Sequence, residues 1–371
     1  MRYPNIFIHG LYGWGADDGI DSTLQYWGSG ENNVIEFLRA HGYECYYPSL
    51  GPFNSAWDRA CILWAYLFGG QVDYGKVHSK KHGHARWGKV YPGVLKDLGT
   101  TEAHKKINLI GHSFGGATVK EISHLFTEGS EEERLGTSES TLSPLFRGGH
   151  GDLIHTVTTL AGVDNGSTLA TLTNRTGVSL LTIWGVFMLS KMVPPGSKYY
   201  DFRLDQWQDG IAGPIDYSAN ELDNIAQEMD VEVVQKEVNP KQRPNPSTYY
   251  FAYSAADTHG LWKQTGDDPA TITGWCGTLI GHYAPAGMWR YGIGVDKDWY
   301  RNDGFVNLNG ARAPREWNPI DYRKGMDVQP GQWYNMPTVQ GDHLYFNGMS
   351  GSRQDRERMF LDMMRRYESL D

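Results

Sequence analysis

Ser113 lies in the run Gly111-His112-Ser113-Phe114-Gly115-Gly116, where an apolar stretch (107–110) meets a helix-like pattern (118–126). Glycines two residues before and two after a serine let neighbouring backbone approach without a clashing Cβ. On a sharp strand-to-helix turn this arrangement exposes the hydroxyl beside the first N–H groups of the new helix, which favour negative charge. Such a G-x-S-x-G pattern is weak alone. The strand before it and the helix after it give it the context of a nucleophile elbow.

A serine hydroxyl needs an imidazole to take its proton and a carboxylate to hold that imidazole in one tautomer. With this elbow the chain order is Ser, then Asp or Glu, then His. His343, in Gly341-Asp342-His343-Leu344, is the last histidine of the chain and precedes an apolar run, so it is the expected base. Two acids fit the order. Asp257 follows the strand-like segment 247–255, and Asp303 sits on a glycine turn in Asn302-Asp303-Gly304. Spacing leaves both open. Asp342 adjoins the base and is awkwardly placed to orient it. Acyl transfer also needs oxyanion donors. The expected pair is the backbone N–H of Phe114, opening the elbow helix, and that of Leu11, after His9-Gly10 at the end of an early strand.

A second group of chemically capable residues falls within 58–84: Asp58, Asp73, His78, His82 and His84. Imidazole and carboxylate together suit zinc. The spacing matches no zinc finger, and a solvated basic loop is an equal alternative. Four protein ligands would make the site structural, whereas a catalytic zinc keeps a position open for water.

The elements that would position these groups follow from the rest of the chain. The first, 5–10, reads as a strand ending in glycine; 32–50 reads as helix, stop and strand; 57–93 is an irregular, histidine-rich insertion. Residues 130–144 read as an acidic solvated loop, 155–162 as an alternating strand and 247–255 as another strand. An amphipathic helix closes the chain from 355. Strands alternating with helices predict a mostly parallel sheet covered on both faces, an α/β fold. The 371 residues, 40% hydrophobic and 21% charged, suit one large domain with a sizeable core. A net charge of −9 argues against nucleic acid as partner. Three cysteines (Cys45, Cys61, Cys276) rule out a disulfide framework but allow one bridge. The longest apolar run, near 179–190, is too short to span a bilayer. With no signal peptide in view, the chain reads either as intracellular or as a mature secreted form with an added Met1.

Taken together, "HGLYGWG", "WDRAC", "GGQVDYGKVHSKKHGHAR", "GHSFGG", "SPLF", "DFRLDQW", "NDGFVN" and "DHL" resemble the thermoalkalophilic bacterial lipases of the Geobacillus and Staphylococcus type, family I.5, and the related clostridial lipases and polyester-hydrolysing esterases. The resemblance runs from residue 9 to 346. It implies an α/β-hydrolase fold in a single domain and a Ser113–Asp303–His343 triad, deciding for Asp303 over Asp257. It implies oxyanion donors at Leu11 and Phe114, and a structural zinc on Asp58, His78, His84 and Asp205, with His82 a bystander. It further implies a zinc-binding subdomain over about 52–93 plus 200–235, a helical lid over about 165–200, and secretion. Lipid esters are the implied substrates, with aliphatic polyesters as a side activity and a transient lipid interface. The family's calcium site uses a glutamate two residues after the catalytic histidine and a nearby Asp-Pro. Here Tyr345 and "GMSGS" stand instead, so that site is expected to be absent. Because His9-Gly10 comes so early, the sheet is expected to lack the first two strands of the full hydrolase fold. Two rival readings are a metallohydrolase driven by the histidine cluster and a catalytically silent lipid-binding relative.

Overall fold

The computed structural model describes residues 2–176, 200–201, 203, 205–207, 223, 225–259, 264–265, 272–282 and 297–370. Most of the apolar run expected as a lid falls outside the described residues. The short helix Thr168–Thr176 lies at its start.

The first apolar run forms β1 (Asn5–Ile8), buried along its whole length. It pairs in parallel with β2 (Cys45–Tyr46) on one side and with β5 (Ile107–His112) on the other. The short β3 (Gly70–Asp73) and β4 (Trp87–Tyr91) form a separate antiparallel hairpin. From β5 the main sheet continues in parallel through β6 (Ile154–Leu160), β7 (Tyr249–Tyr253), Trp333–Asn335 and Ile320–Asp321. This seven-stranded parallel sheet has the α/β-hydrolase arrangement. Among the described residues no strand pairs outside β2, one strand beyond β1.

Helices cover both faces, as parallel sheets require. On one face α2 (Ala56–Phe68) and α4 (Phe114–Glu128) bury Leu63, Leu67, Ile122 and Phe126 against Ile6, Leu109 and Val157. On the other, α1 (Val34–Ala40) and the C-terminal helix Arg353–Glu368 bury Ile35, Leu38, Phe360 and Met363 against Phe7, Ile110 and Phe251. The three cysteines are buried and unpaired.

Two segments differ from their sequence reading. The threonines of β6 alternate as if facing water, yet the strand is buried on both faces. Each hydroxyl has a partner inside: Thr156 on Asn108, Thr158 on Tyr367 and Thr159 on Asp164. A hydroxyl so satisfied can be buried at little cost. The acidic loop instead contains a helix, Glu131–Gly136, whose N-cap Ser130 accepts from the Glu133 N–H. Glu133 is buried and accepts the backbone N–H groups of Lys76 and His78, which open the helix α3 (Lys76–His82) inside the hairpin insertion.

The end of β1 and the first turn of α4 meet with no room for a side chain. A Cβ at Gly115 would lie 2.3 Å from the Ile8 carbonyl oxygen, and one at Gly10 would lie 2.6 Å from the Ser113 Cβ. Gly115→Ala should therefore destabilise the protein by about 1–3 kcal/mol, the usual cost of overpacking. Urea unfolding would measure it, and an unchanged midpoint would contradict this packing.

Candidate active site and a buried metal cluster

The tight turn between β5 and α4 holds Ser113 at φ +58°, ψ −126°, a left-handed backbone geometry unusual for a residue with a Cβ. Gly111 permits it, since a Cβ there would sit 2.1 Å from the Gly115 carbonyl oxygen. Such strain, held by the packing around it, marks a functional position.

The structure brings His343 and Asp303 together. His343 Nδ1–H donates to Asp303 Oδ2 at 2.8 Å, and the His343 backbone N–H donates to the Asp303 carbonyl at 2.7 Å. Asp303 is fully buried, and its other oxygen accepts the N–H groups of Phe305 and Val306 at 3.0 and 2.8 Å. Nδ1 therefore carries the proton, and Nε2 is left with its lone pair. Asp257, the rival acid, accepts from Gln340 at 2.9 Å instead. Asp342 accepts from the Leu344 N–H and the Ser350 hydroxyl.

Ser113 and His343 line one cavity, whose remaining walls are largely apolar: Leu11, Val163, Leu169, Met229, Phe305, Val306 and Met349. Leu11 lines the same cavity as the serine, and Phe114 follows it as the first residue of α4. Among the described residues, neither backbone N–H is taken up by an acceptor in a turn or loop.

Behind the oxyanion loop lies a residue the motifs did not single out. Arg59, on α2, is completely buried and donates to the His9 carbonyl. Its guanidinium stands 5.3 Å over the Phe114 ring, while Nε and Nη1 have no hydrogen-bond partner among the described residues. Burial lowers its pKa to about 9. His9 itself is held neutral by burial and by Arg59, its Nε2 accepting from the Leu50 N–H at 3.0 Å.

Known proteins resemble this chain along nearly its whole length. A family model described as "Lipase-like, C-terminal domain" matches residues 1–369. Lipase 1 of Staphylococcus aureus is 32% identical over 96% of the chain. The chain belongs to this staphylococcal-type bacterial lipase family. It spans about half (52%) of the length of that curated relative. Among solved structures of the lipase fold, EstA from Clostridium botulinum superposes with a TM-score of 0.81 at 32% identity, covering 98% of this chain and 87% of that one. Lipase 1 from Pelosinus fermentans gives 0.76 at 30% identity, covering 98% of both chains. The Staphylococcus hyicus lipase gives 0.80 at 27% identity, covering 100% and 97%.

Apart from the serine, four side chains converge in the hairpin insertion: Asp58, His78, His84 and Asp223 offer ligand atoms all within 4.8 Å of one another. Here the structure corrects the expected set. Asp205 is exposed and takes no part, and Asp223 supplies the fourth position from about twenty residues further on. Neighbouring groups fix the ligands. His84 Nδ1–H donates to the Ala85 carbonyl at 2.9 Å, turning the Nε2 lone pair inward. Gln206 donates to Asp58 Oδ2 at 2.7 Å, and Trp57 stacks on His78 at 4.6 Å. His82 packs on the His78 ring at 4.5 Å outside the four, and Asp73 is taken by a bidentate pair with Arg86.

Asp58 Oδ1, both Asp223 oxygens and Nε2 of both histidines are buried without a hydrogen bond. Burial opposes charge on His78, yet the carboxylates of Asp223 and Asp58 outweigh it and carry its pKa up to about 10. Two carboxylates buried this close together need positive charge between them, which protonated histidines or a divalent cation can supply. The donor set can bind a metal. Asp223→Asn should lower bound metal well below one per chain and reduce the melting temperature by several degrees, while Asp205→Asn should change neither. Elemental analysis and a thermal scan of the two variants separate these outcomes; metal loss in the Asp205 variant would restore the sequence-based set.

Proposed function

We propose that this chain is a serine carboxylester hydrolase acting on lipid esters. One observation carries the reading: a strained, half-buried serine lines an apolar cavity together with an imidazole oriented by a buried carboxylate. Ser113 Oγ attacks the ester carbonyl as His343 Nε2 takes its proton. Asp303 fixes the tautomer and stabilises the imidazolium that forms. The carbonyl oxygen becomes an oxyanion held by the N–H groups of Leu11 and Phe114. His343 returns the proton to the departing alcohol, and a water activated by the same imidazole releases the acid.

The apolar walls suit an acyl chain and offer nothing to pair with charge, which favours neutral esters over charged substrates. Lipid esters are the primary class, consistent with relatives named as lipases. Aliphatic polyesters share the same ester and apolar spacer, and we extend the reading to them.

Zinc is our reading of the metal, since two imidazole nitrogens and two carboxylate oxygens suit its preferences. Four protein ligands make it structural; bound there, it would neutralise the two buried carboxylates and tie the insertion to α2. We propose no calcium near His343. Tyr345, two residues on, lies 5.9 Å beneath the guanidinium of Arg356, itself buried and donating to the Ser350 carbonyl and to Asn32 Oδ1. A resident guanidinium there supplies the positive charge that a metal would bring. We also read about 52–93 plus 200–235 as the metal-binding subdomain, and the setting as extracellular. No helix among the described residues is long and apolar enough to cross a membrane.

Hydrolysis of p-nitrophenyl butyrate and palmitate tests the mechanism. Ser113→Ala should abolish turnover, and Asp303→Asn should lower kcat by roughly 10³- to 10⁴-fold. Brief exposure to chelator should leave the wild type active. Activity that survives loss of the serine but vanishes at once on chelation would move the chemistry to the histidine cluster.

A further inference from the structure

His112, the residue before the serine, is buried and has a partner on each ring nitrogen. Nε2 lies 2.9 Å from the carbonyl oxygen of His343, and Nδ1 lies 2.7 Å from the hydroxyl of Tyr26. That hydroxyl in turn accepts the backbone N–H of Gly10 at 2.8 Å. Every proton in this chain has a determined place. A carbonyl only accepts, so Nε2 carries the imidazole proton. Burial, with His343 beside it, pushes the pKa of His112 down to about 3, so the ring is neutral and Nδ1 is an acceptor. The Tyr26 hydroxyl gives its single proton to Nδ1 and accepts from Gly10 on a lone pair. The polarity runs one way, from Gly10 N–H through Tyr26 O–H to His112, and on to the carbonyl of His343.

The two ends of this chain are the two halves of the proposed machinery. Gly10 precedes Leu11, whose N–H is one of the oxyanion donors, and His343 is the base. Asp303 already holds His343 at its backbone nitrogen and at Nδ1, and His112 supplies the third restraint, at the carbonyl oxygen. The relay is also tightly walled. The Tyr26 ring packs edge-on to His9, Trp14 and Trp27 at 5.4–5.8 Å, and the His112 ring lies 4.9 Å from that of His343.

We propose that Tyr26 and His112 are positioning residues, a hydrogen-bond relay that fixes the oxyanion loop and the general base relative to each other. The proposal rests on the serine-hydrolase reading. Neither side chain takes or gives a proton to substrate. Their effect is to keep Leu11 N–H and His343 Nε2 at a constant separation, so that loss of either link loosens both ends.

The test measures kcat and KM for p-nitrophenyl butyrate with Tyr26→Phe, His112→Leu, His112→Gln and the Tyr26→Phe/His112→Leu double variant. Active sites are counted by end-point labelling with a phosphonate, so unfolded protein does not enter the rate. Tyr26→Phe and His112→Leu should each lower kcat by about 10²-fold, the size of a misplacement near 1 Å, with KM within about threefold. The double variant should be no slower than the slower single, because both changes break one unit. His112→Gln, whose amide accepts and donates, should recover roughly tenfold over His112→Leu. The relay is overturned if kcat per labelled site stays within about twofold of wild type while only the melting temperature falls. It is equally overturned if the double variant shows the product of the two single losses. Should His112→Leu yield no folded protein, Tyr26→Phe and His112→Gln decide the matter between them. A wild type that hydrolyses no ester, or a Ser113→Ala variant that still does, would sink the serine-hydrolase reading instead.

Discussion

The close approach of β1 to the first turn of α4 is the constraint on which the site depends. Three backbone segments meet where no Cβ fits: the Ile8 and His9 carbonyls, the Gly111 turn and Gly115. Their contact holds Ser113 in its left-handed conformation at the start of α4. A wider gap would relax the serine into ordinary backbone geometry. The sheet and both layers of helices therefore serve one purpose at this point, to press three chains together more closely than side chains allow. Such strain persists only because the surroundings over-determine it.

Around that contact the polar groups are arranged so that each has one role. Asp303 spends one oxygen on His343 and the other on two backbone N–H groups, which leaves it no freedom to turn. Arg59 brings a positive charge behind the His9-Gly10 loop with no carboxylate in salt-bridge contact among the described residues, and Phe114 covers its face. In surroundings this dry, such a charge acts over a longer distance than it would in water.

Much of this was legible in the sequence, for identifiable reasons. The elbow, the early His9-Gly10 loop and the last histidine are local patterns, and parallel β strands announce themselves as short apolar runs. Asp303 over Asp257 was not decidable from spacing, because both follow the serine; the family resemblance chose Asp303, and a 2.8 Å bond joins it to His343. Asp205 sits in a distinctive motif and Asp223 in none, yet Asp223 is the one that folds inward. A ligand delivered by tertiary packing leaves no periodicity or motif behind. Glu133 was unreadable for the same reason: its acidic neighbours suggest solvent, while its carboxylate is buried under the start of α3. Arg59 and His112 lay in plain view within quoted motifs, but a sequence does not say which way a side chain points.

One consequence concerns α2. Asp58 and Arg59 are consecutive residues, and the helix turns about 100° between them, so one faces the metal cluster and the other the carbonyl of His9. Their shared first turn is anchored by Glu228, which accepts the Ala56 N–H at 2.8 Å. The helix thus joins a cluster that could hold a cation on one side to the loop after β1 on the other. A cation held by Asp58 would therefore bear on the tilt of the helix from which Arg59 reaches the His9 carbonyl, without ever touching the serine.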